Sequence, residues 1–466
     1  MPDNFARLLE AAARRWPNTP ALVWEGGALT WEELDRRAGG VARALAARGV
    51  KTGEPIAVPI GNHWALAVAL YAGLKLGATV TPLNPLLTRE ERARILADLR
   101  PAEIIEDVGA ETAEWPSLPA PDAPAVILYT SGSTGEPKGA VLSHAALGLA
   151  NRSWAGPVMA LVPEDVVLAA LPLSHSFGLN GALLAPLLAG ACVALVEHFS
   201  PEGALEAIAR HRVTVFPGVA TMFRRILDSP ALGGANLGSL RLAVSGAAPC
   251  PWELAEEWQR RTGVRILRGY GSTELFRPIS YLADDPRDWP DAIGRPVPGV
   301  EIRVVDEAGA AVPEEEAGEL WIRTPAAMDG YLNRPEETRA VFAQDGWFRT
   351  GDLATVSADG LVRIVGRKKE MILRGGYSVV PGEVEAVLRG HPAVAEAAVF
   401  GLPHPELGEE VAAFVVLRPG GLAEPAELIA YCRERLATFK SPRRVSIVDQ
   451  LPRGATGKVL KSRLGR

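Results

Sequence analysis

The stretch that most constrains this chain is residues 129–139, Tyr-Thr-Ser-Gly-Ser-Thr-Gly-Glu-Pro-Lys-Gly. An apolar run at 125–128 leads into it and a second at 140–142 leads out. A polar segment is thus bracketed by two that favour burial. The hydroxyls of Thr130, Ser131, Ser133 and Thr134, with bare backbone N–H groups at Gly132 and Gly135, are what a loop needs to wrap phosphate oxygens. Lys138 adds a mobile point charge, and Pro137 stiffens the backbone beside it. The register is not that of a Walker loop. Counting from Gly132, the second glycine should fall at 137, where proline stands, and Lys138 precedes glycine instead of a hydroxyl. A polar surface turn is the plainer alternative, although turns seldom gather so many hydroxyls and glycines before a lysine.

A length of 466 residues implies several structural units. With 48% hydrophobic and 22% charged residues, the composition is that of a soluble globular protein with an ample core. A net charge of −6 offers no basic field for nucleic acid or an anionic membrane. Cys192, Cys250 and Cys432 are widely spaced and include no C-x-x-C pair, which argues against a disulfide framework or zinc site and suits a reducing compartment. The first residues lack the layout of a signal peptide. Residues 179–196 approach membrane length but hold Asn180, Pro186 and two glycines, and read as a buried helix turning at Gly190 into a strand. A cytoplasmic enzyme without an integral membrane segment is expected.

Up to about residue 106, helix and strand alternate. Thr30-Trp-Glu-Glu33 and Thr88-Arg-Glu-Glu91 are capping boxes, 64–76 is an apolar helix ending at Gly77, and 56–60, 79–83 and 104–105 are strand-like. This rhythm predicts a mostly parallel sheet covered by helices. Residues 107–124, rich in proline, alanine and acid, read as a loop joining two lobes. Strand signals return at 166–171, 213–216, 240–244 and 264–267. From Gly299 short strands with turn signals predict an antiparallel or barrel-like lobe. Beyond Gly366 a small α+β tail is expected, with a helix from Pro381, strands near 394 and 412–417, and a helix around 426–436. The fold class is therefore α/β: a large N-terminal part of mostly parallel sheets plus a barrel-like lobe, followed by a small α+β domain.

A second cluster is Gly269-Tyr-Gly-Ser-Thr-Glu274, placed after a predicted strand at the carboxyl edge of the sheet, where doubly wound folds bind ligands. Tyr270 offers a flat face for adenine, Thr273 a hydroxyl for phosphate and Glu274 an oxygen for Mg²⁺. Alone, the segment could equally be a helix N-cap with an acid in its first turn. Asp352 follows a glycine turn, and Arg367 follows a strand. A carboxylate can accept both ribose hydroxyls, although a surface ion pair is the ordinary reading of either residue alone.

Position by position, the 129–139 loop resembles the signature loop of the adenylate-forming superfamily: acyl-CoA synthetases, aryl-CoA ligases, luciferases and peptide-synthetase adenylation domains. The resemblance extends over almost the whole chain. It implies an adenylation domain over 1–366, a hinge at 367–370 centred on Lys369, and a mobile C-terminal domain over 371–466. It assigns ATP to Thr130, Ser131, Gly132, Ser133, Thr134, Gly135, Lys138, Gly246, Ala247, Ala248, Gly269, Tyr270, Gly271, Ser272, Thr273, Asp352 and Arg367, and the metal to Glu274 and Thr134. His175, in His-x-Phe-Gly, matches the gate between carboxylate and thiol sites, although a lone histidine is more often structural. Lys458, otherwise an idle tail lysine, matches the residue that bridges the attacking carboxylate and the α-phosphate. Gly375 and Gly376 match the pantetheine tunnel, with Lys440 a candidate contact for a CoA phosphate. Ser378 stands where relatives often carry asparagine.

The implied activity is an ATP- and Mg²⁺-dependent acid–CoA ligase, with AMP and pyrophosphate as products. Expected partners are a small carboxylic acid, ATP and CoA, with a homodimer left open. The acyl pocket is expected around His175, Phe177, Leu179, Val219, Ala220, Met222 and Ala247, an apolar lining suited to a fatty or aryl acid. Arg277 supplies the alternative, a dicarboxylate or succinylbenzoate-type acid read through its second carboxylate. An enzyme loading a carrier protein is a further alternative, and a non-catalytic nucleotide sensor fits poorly with Glu274 and Lys458 both present.

Overall fold

Local signals set the helices. Thr30 accepts from the Glu33 N–H while the Glu33 carboxylate accepts from the Thr30 N–H, opening the helix Trp31–Ala47. Thr88 and Glu91 repeat this reciprocal cap at Arg89–Leu99. Trp64–Leu76 is buried nearly all round and stops at Gly77, whose φ of 76° is the left-handed turn that glycine adopts without strain. The expected helix-to-strand segment is a π-helical stretch, Gly178–Leu184, then Ala185–Ala189, a left-handed Gly190 and the strand Cys192–Leu195.

The computed structural model describes residues 4–118, 123–131, 137–286, 288–374, 377–453 and 459; for residues 131, 369, 377 and 378 it describes the backbone alone. The chain divides into two units, residues 1–301 with 322–348, and residues 302–321 with 349–466.

The first unit carries two large sheets. One has seven strands in the order Ile266–Leu267, Leu242–Ser245, Val215–Gly218, Val166–Ala169, Cys192–Leu195, Pro20–Trp24 and Gly27–Thr30. Its pairings are parallel except for the closing hairpin of Pro20–Trp24 with Gly27–Thr30. Phe216, Phe223 and Trp258 anchor the core on one face, with ring centroids 5.0 to 6.3 Å apart. The other sheet has six strands: Gly330–Tyr331, Pro137–Ser143, Pro124–Ser131, Thr79–Pro82, Pro55–Val58 and Glu103–Ile104. It is parallel from the edge strand Glu103–Ile104 through Pro124–Ser131 and antiparallel from there to Gly330–Tyr331.

The segment expected to join two lobes does something else. Residues 107–118 leave and re-enter the same six-stranded sheet, crossing the helix Trp31–Ala47 on the way. The Ala113 N–H donates to Arg36 O, the Leu118 N–H to Lys75 O, and both the N–H and hydroxyl of Ser117 to Glu10. Gly39 and Gly40 leave room for it: a Cβ there would lie 2.1 Å from Ala113 O and 2.3 Å from Glu111 O. Composition excludes a regular element in this segment but carries no information about what it packs on. Beneath it Lys75, 1% exposed, pairs with Glu10 at 3.1 Å and Asp35 at 2.8 Å.

The second unit holds most of a four-stranded sheet, Glu301–Val305, Gly318–Arg323, Phe348–Val356 and Val362–Arg367, of which Glu301, Ile322, Arg323 and Phe348 fall to the first unit. It also holds the α+β tail, where Tyr377–Val379, Ile372–Arg374, Gly408–Leu417 and Val394–His404 form a sheet with Arg444–Ile447 beside Gly408–Leu417. Pro381–Arg389 and Pro425–Arg433 cover it through Val384, Leu388, Leu428 and Cys432.

Candidate active site

The strands that flank the hydroxyl-rich loop, Pro124–Ser131 and Pro137–Ser143, pair antiparallel. Tyr129 pairs with Gly139, Thr130 with Lys138 and Ser131 with Pro137. Gly132, Ser133, Thr134 and Gly135 lie outside the described residues. The base of the loop is fixed from both sides. The Tyr129 hydroxyl donates to Asp98 at 2.8 Å, and burial together with that carboxylate raises the Tyr129 pKa. A side chain at 139 would strike Ile127 and the Tyr129 ring at 2.8 and 3.1 Å, so glycine is required there.

Lys138 leaves this base toward the strand Gly330–Tyr331. Its ammonium pairs with the Glu337 carboxylate and lies 5.6 Å from the centre of the Tyr331 ring. The Tyr331 hydroxyl in turn donates to Glu274 Oε1 at 2.8 Å. The loop lysine and the candidate metal carboxylate are therefore joined through one tyrosine, 57 residues from Glu274 in the chain. Sequence reasoning missed Tyr331 and Glu337 altogether. Gly330-Tyr331 and Pro335-Glu-Glu-Thr338 are unremarkable until the strand pairs with 140–141.

Glu274 does not cap a helix. Gly269–Ser272 and Phe276–Ser280 form an antiparallel hairpin, and Thr273, Glu274 and Leu275 make its turn. The turn closes tightly, with Phe276 at φ 57° and only 1.8 Å between Phe276 O and a Cβ built on Gly271. Tyr270 is half-buried and Thr273 buried, while the Ser272 hydroxyl is buried with no hydrogen-bond partner among the described residues.

Beside this hairpin, the strand Leu242–Ser245 runs into Gly246, Ala247 and Ala248, with Ala247 in the left-handed region at φ 62°. Arg277 lies beneath the turn, 6% exposed. It donates to Ser245 O at 2.8 Å, Leu267 O at 3.3 Å and the Ser280 hydroxyl at 2.8 Å. Its guanidinium thus collects carbonyl dipoles at the carboxyl ends of two parallel strands. Its carbon lies 5.0 Å from the Trp154 ring centre, and Trp154 stacks on Phe177 at 5.3 Å. Cβ atoms built on Gly246 and Gly269 would meet this guanidinium at 3.1 and 2.4 Å, so both glycines are needed for the close approach. Burial pulls the Arg277 pKa down to about 9, which leaves it charged at neutral pH. No carboxylate among the described residues pairs with it.

His175 is exposed, in a turn where its N–H donates to Pro172 O at 3.0 Å. Gly178 lies against the same carbonyl, 2.2 Å from where a Cβ would stand. Val219 is half-buried, ahead of the helix Ala220–Asp228, and Met222 is buried. In the second unit, Asp352 and Arg367 face each other on neighbouring strands, joined from Nε to Oδ1 at 2.9 Å. Asp352 is buried and its N–H donates to the Thr350 hydroxyl. Lys369 sits in the single 3₁₀ turn Lys368–Glu370. Lys440 is held at 2.7 Å by both carboxylate oxygens of Glu383. Gly375, Gly376 and Lys458 lie outside the described residues.

The donor set around Glu274 fits a magnesium ion that draws most of its ligands from phosphates and water. Glu274 Oε1 is taken by Tyr331 and Oε2 by no group among the described residues. No cluster of three or more His, Cys, Asp or Glu among those residues forms a metal cage.

Parallel sheets with a glycine-rich turn at a carboxyl edge, a hydroxyl-rich loop between antiparallel strands and a separate α+β tail define the class as adenylate-forming enzymes. The chain belongs to the AMP-binding enzyme family, whose model matches residues 9–117 and 104–332, with the AMP-binding enzyme C-terminal domain matching 383–458. It is 38% identical to a feruloyl-CoA synthase from Amycolatopsis sp, over 97% of each chain. It is 34% identical to a sulfoacetate–CoA ligase from Cupriavidus necator, over 99% of this chain and 97% of that one. The crystal structure of ATP-bound MatB from Rhodopseudomonas palustris superposes with a TM-score of 0.92 at 33% identity, covering 100% of this chain and 98% of the other. The family is one of AMP-forming CoA ligases.

Proposed function

We propose that this chain is an ATP- and Mg²⁺-dependent acid–CoA ligase of the cytoplasm. A carboxylate attacks the α-phosphate of ATP, pyrophosphate leaves, and the acyl-adenylate then passes its acyl group to the CoA sulfur with release of AMP. Lys138 and the loop hydroxyls hold the β- and γ-phosphates, Tyr270 and the strip 246–248 hold adenine, and Asp352 with Arg367 holds the ribose. Glu274 would hold magnesium, which when bound would supply positive charge beside the phosphates. Lys458 bridges the two anions that must approach one another, where a cation is worth most. His175 guards the passage between acid and thiol, and rotation of the tail about Lys369 brings in Gly375, Gly376 and Lys440 for CoA. The observation that carries this reading is the Lys138–Tyr331–Glu274 chain, which joins the loop cation to a carboxylate whose second oxygen meets no group among the described residues.

The acid is an apolar monocarboxylate, fatty or aryl. Trp154, Phe177 and Arg277 fill the space beneath Gly246, which favours a flat or short acyl group over a long chain. A second reading, a substrate with another anionic end, is favoured by one observation: Arg277 is a buried cation with no carboxylate partner among the described residues. The relative named for sulfoacetate, a carboxylate that also carries a sulfonate, shows that a CoA ligase of this family can accept such an acid. A panel of aryl, fatty and dicarboxylic acids, scored for AMP and thioester, tests the activity and ranks the substrates. Arg277→Met decides between the readings. If Arg277 only shapes the floor, the variant keeps the parent's ranking or shifts toward longer chains. Selective loss of diacids by about 10- to 100-fold, the loss of one charge-assisted contact, would instead make Arg277 the receptor.

A further inference from the structure

Lys138, which the proposed function assigns to the phosphates of ATP, is already neutralised. Its ammonium pairs with Glu337, the third residue of the helix Pro335–Val341, and only 15% of the Lys138 side chain is exposed. Glu337 has a second cation, since Arg334 Nη1 lies 3.3 Å from its other carboxylate oxygen. The carboxylate is therefore held between two cations. It can release Lys138 without becoming a lone charge, because Arg334 stays in place. Lys138 is free to turn between partners, being a flexible ammonium with three donors above the Tyr331 ring. Hydrogen bonding to Lys138 holds the Glu337 carboxyl below the usual carboxylate range, so it is ionised wherever the enzyme would work.

We propose that Glu337 is an internal competitor for the phosphates: it occupies Lys138 in the empty enzyme, yields it to ATP, and reclaims it as pyrophosphate departs. This rests on the assignment of Lys138 to the phosphates. A carboxylate that returns to the lysine lowers affinity for every polyphosphate, and its consequence is greatest for the product that must leave before CoA reacts. The interaction is intramolecular and partly exposed, so it shifts affinity modestly and does not block binding.

Titration of the full chain with sodium pyrophosphate and Mg²⁺ by calorimetry, alongside steady-state kinetics, tests this. Glu337→Gln keeps the shape and removes the charge. It should bind pyrophosphate about threefold to fivefold more tightly than the parent, as expected for losing a partly exposed ion pair, with a matching fall in the KM for ATP and no change in the KM for the acid. Glu337→Asp, which keeps the charge, should restore parent-like pyrophosphate affinity and also reports whether the helix tolerates change at this position. Unchanged or weaker pyrophosphate binding in Glu337→Gln, or a raised KM for ATP, would overturn the proposal and leave Glu337 as a brace for Lys138. Lys138→Met separates the two layers: if it binds ATP and pyrophosphate as the parent does, the assignment of Lys138 itself fails.

Discussion

At the scale of single residues, the site is built from pairs whose members are far apart in sequence. Tyr331 is the clearest case, because its hydroxyl serves Glu274 while its ring underlies Lys138. Burial and the Glu274 carboxylate raise its pKa, so the hydroxyl keeps its proton and remains a donor. Tyr331→Phe separates the two contacts, retaining the ring and losing one hydrogen bond to a charged group. Such a bond contributes roughly 1.5–3 kcal/mol, so pyrophosphate release at limiting ATP should fall about 10- to 100-fold while the melting temperature hardly moves. An unchanged rate would show that Glu274 needs no orienting partner. The lysine and its hydroxyl-rich loop stand out in the sequence because unusual composition is a local property. Tyr331 and Glu337 do not, because a tyrosine or glutamate acquires its role only when the strand Gly330–Tyr331 pairs with Pro137–Ser143. Arg277 was legible as a cation near the site, but not as one whose donors are directed at Ser245 O and Leu267 O.

At the scale of elements, legibility follows the range of the forces involved. The capping boxes at Thr30 and Thr88 and the stop at Gly77 are settled within one helical turn, and the sequence alone places them. The alternative of a helix cap at Glu274 fails because a two-strand hairpin and a helix start share the same glycine and hydroxyl signals, and only the pairing partner Phe276–Ser280 distinguishes them. The strap at 107–118 shows the opposite limit, with no periodicity to read and all of its order supplied by docking. This gives a test of sign. Alanine for glycine inside a helix ordinarily adds roughly 0.5–1 kcal/mol of stability. At Gly39 the new Cβ would meet Ala113 O at 2.1 Å, so the strap must move or strain, at a cost of about 1–3 kcal/mol. Chemical denaturation of Gly39→Ala should therefore show net destabilisation. A stabilised variant would mean that the strap does not dock in solution.

At the scale of the whole molecule, the proposed account needs the tail to take two orientations, one for adenylation and one for thioester formation. The junction residue is proposed as Lys369, within the 3₁₀ turn Lys368–Glu370. Proline there fixes φ near −65° and biases the residue before it away from the helical region. Lys369→Pro is expected to release pyrophosphate at close to the parent rate and to lose most thioester formation, whereas Lys369→Ala should do both. Pyrophosphate and thioester measured on the same preparations check this, and parental thioester formation by the proline variant would move the hinge elsewhere. Beneath all of these expectations lies one central claim, that the chain activates its acid as an acyl-adenylate before CoA takes part. The direct measurement is exchange of labelled pyrophosphate into ATP with the best acid of the panel and no CoA. The account expects acid-dependent exchange that adding CoA diverts into AMP and thioester; exchange that requires CoA, or ADP and phosphate in place of AMP and pyrophosphate, would contradict it.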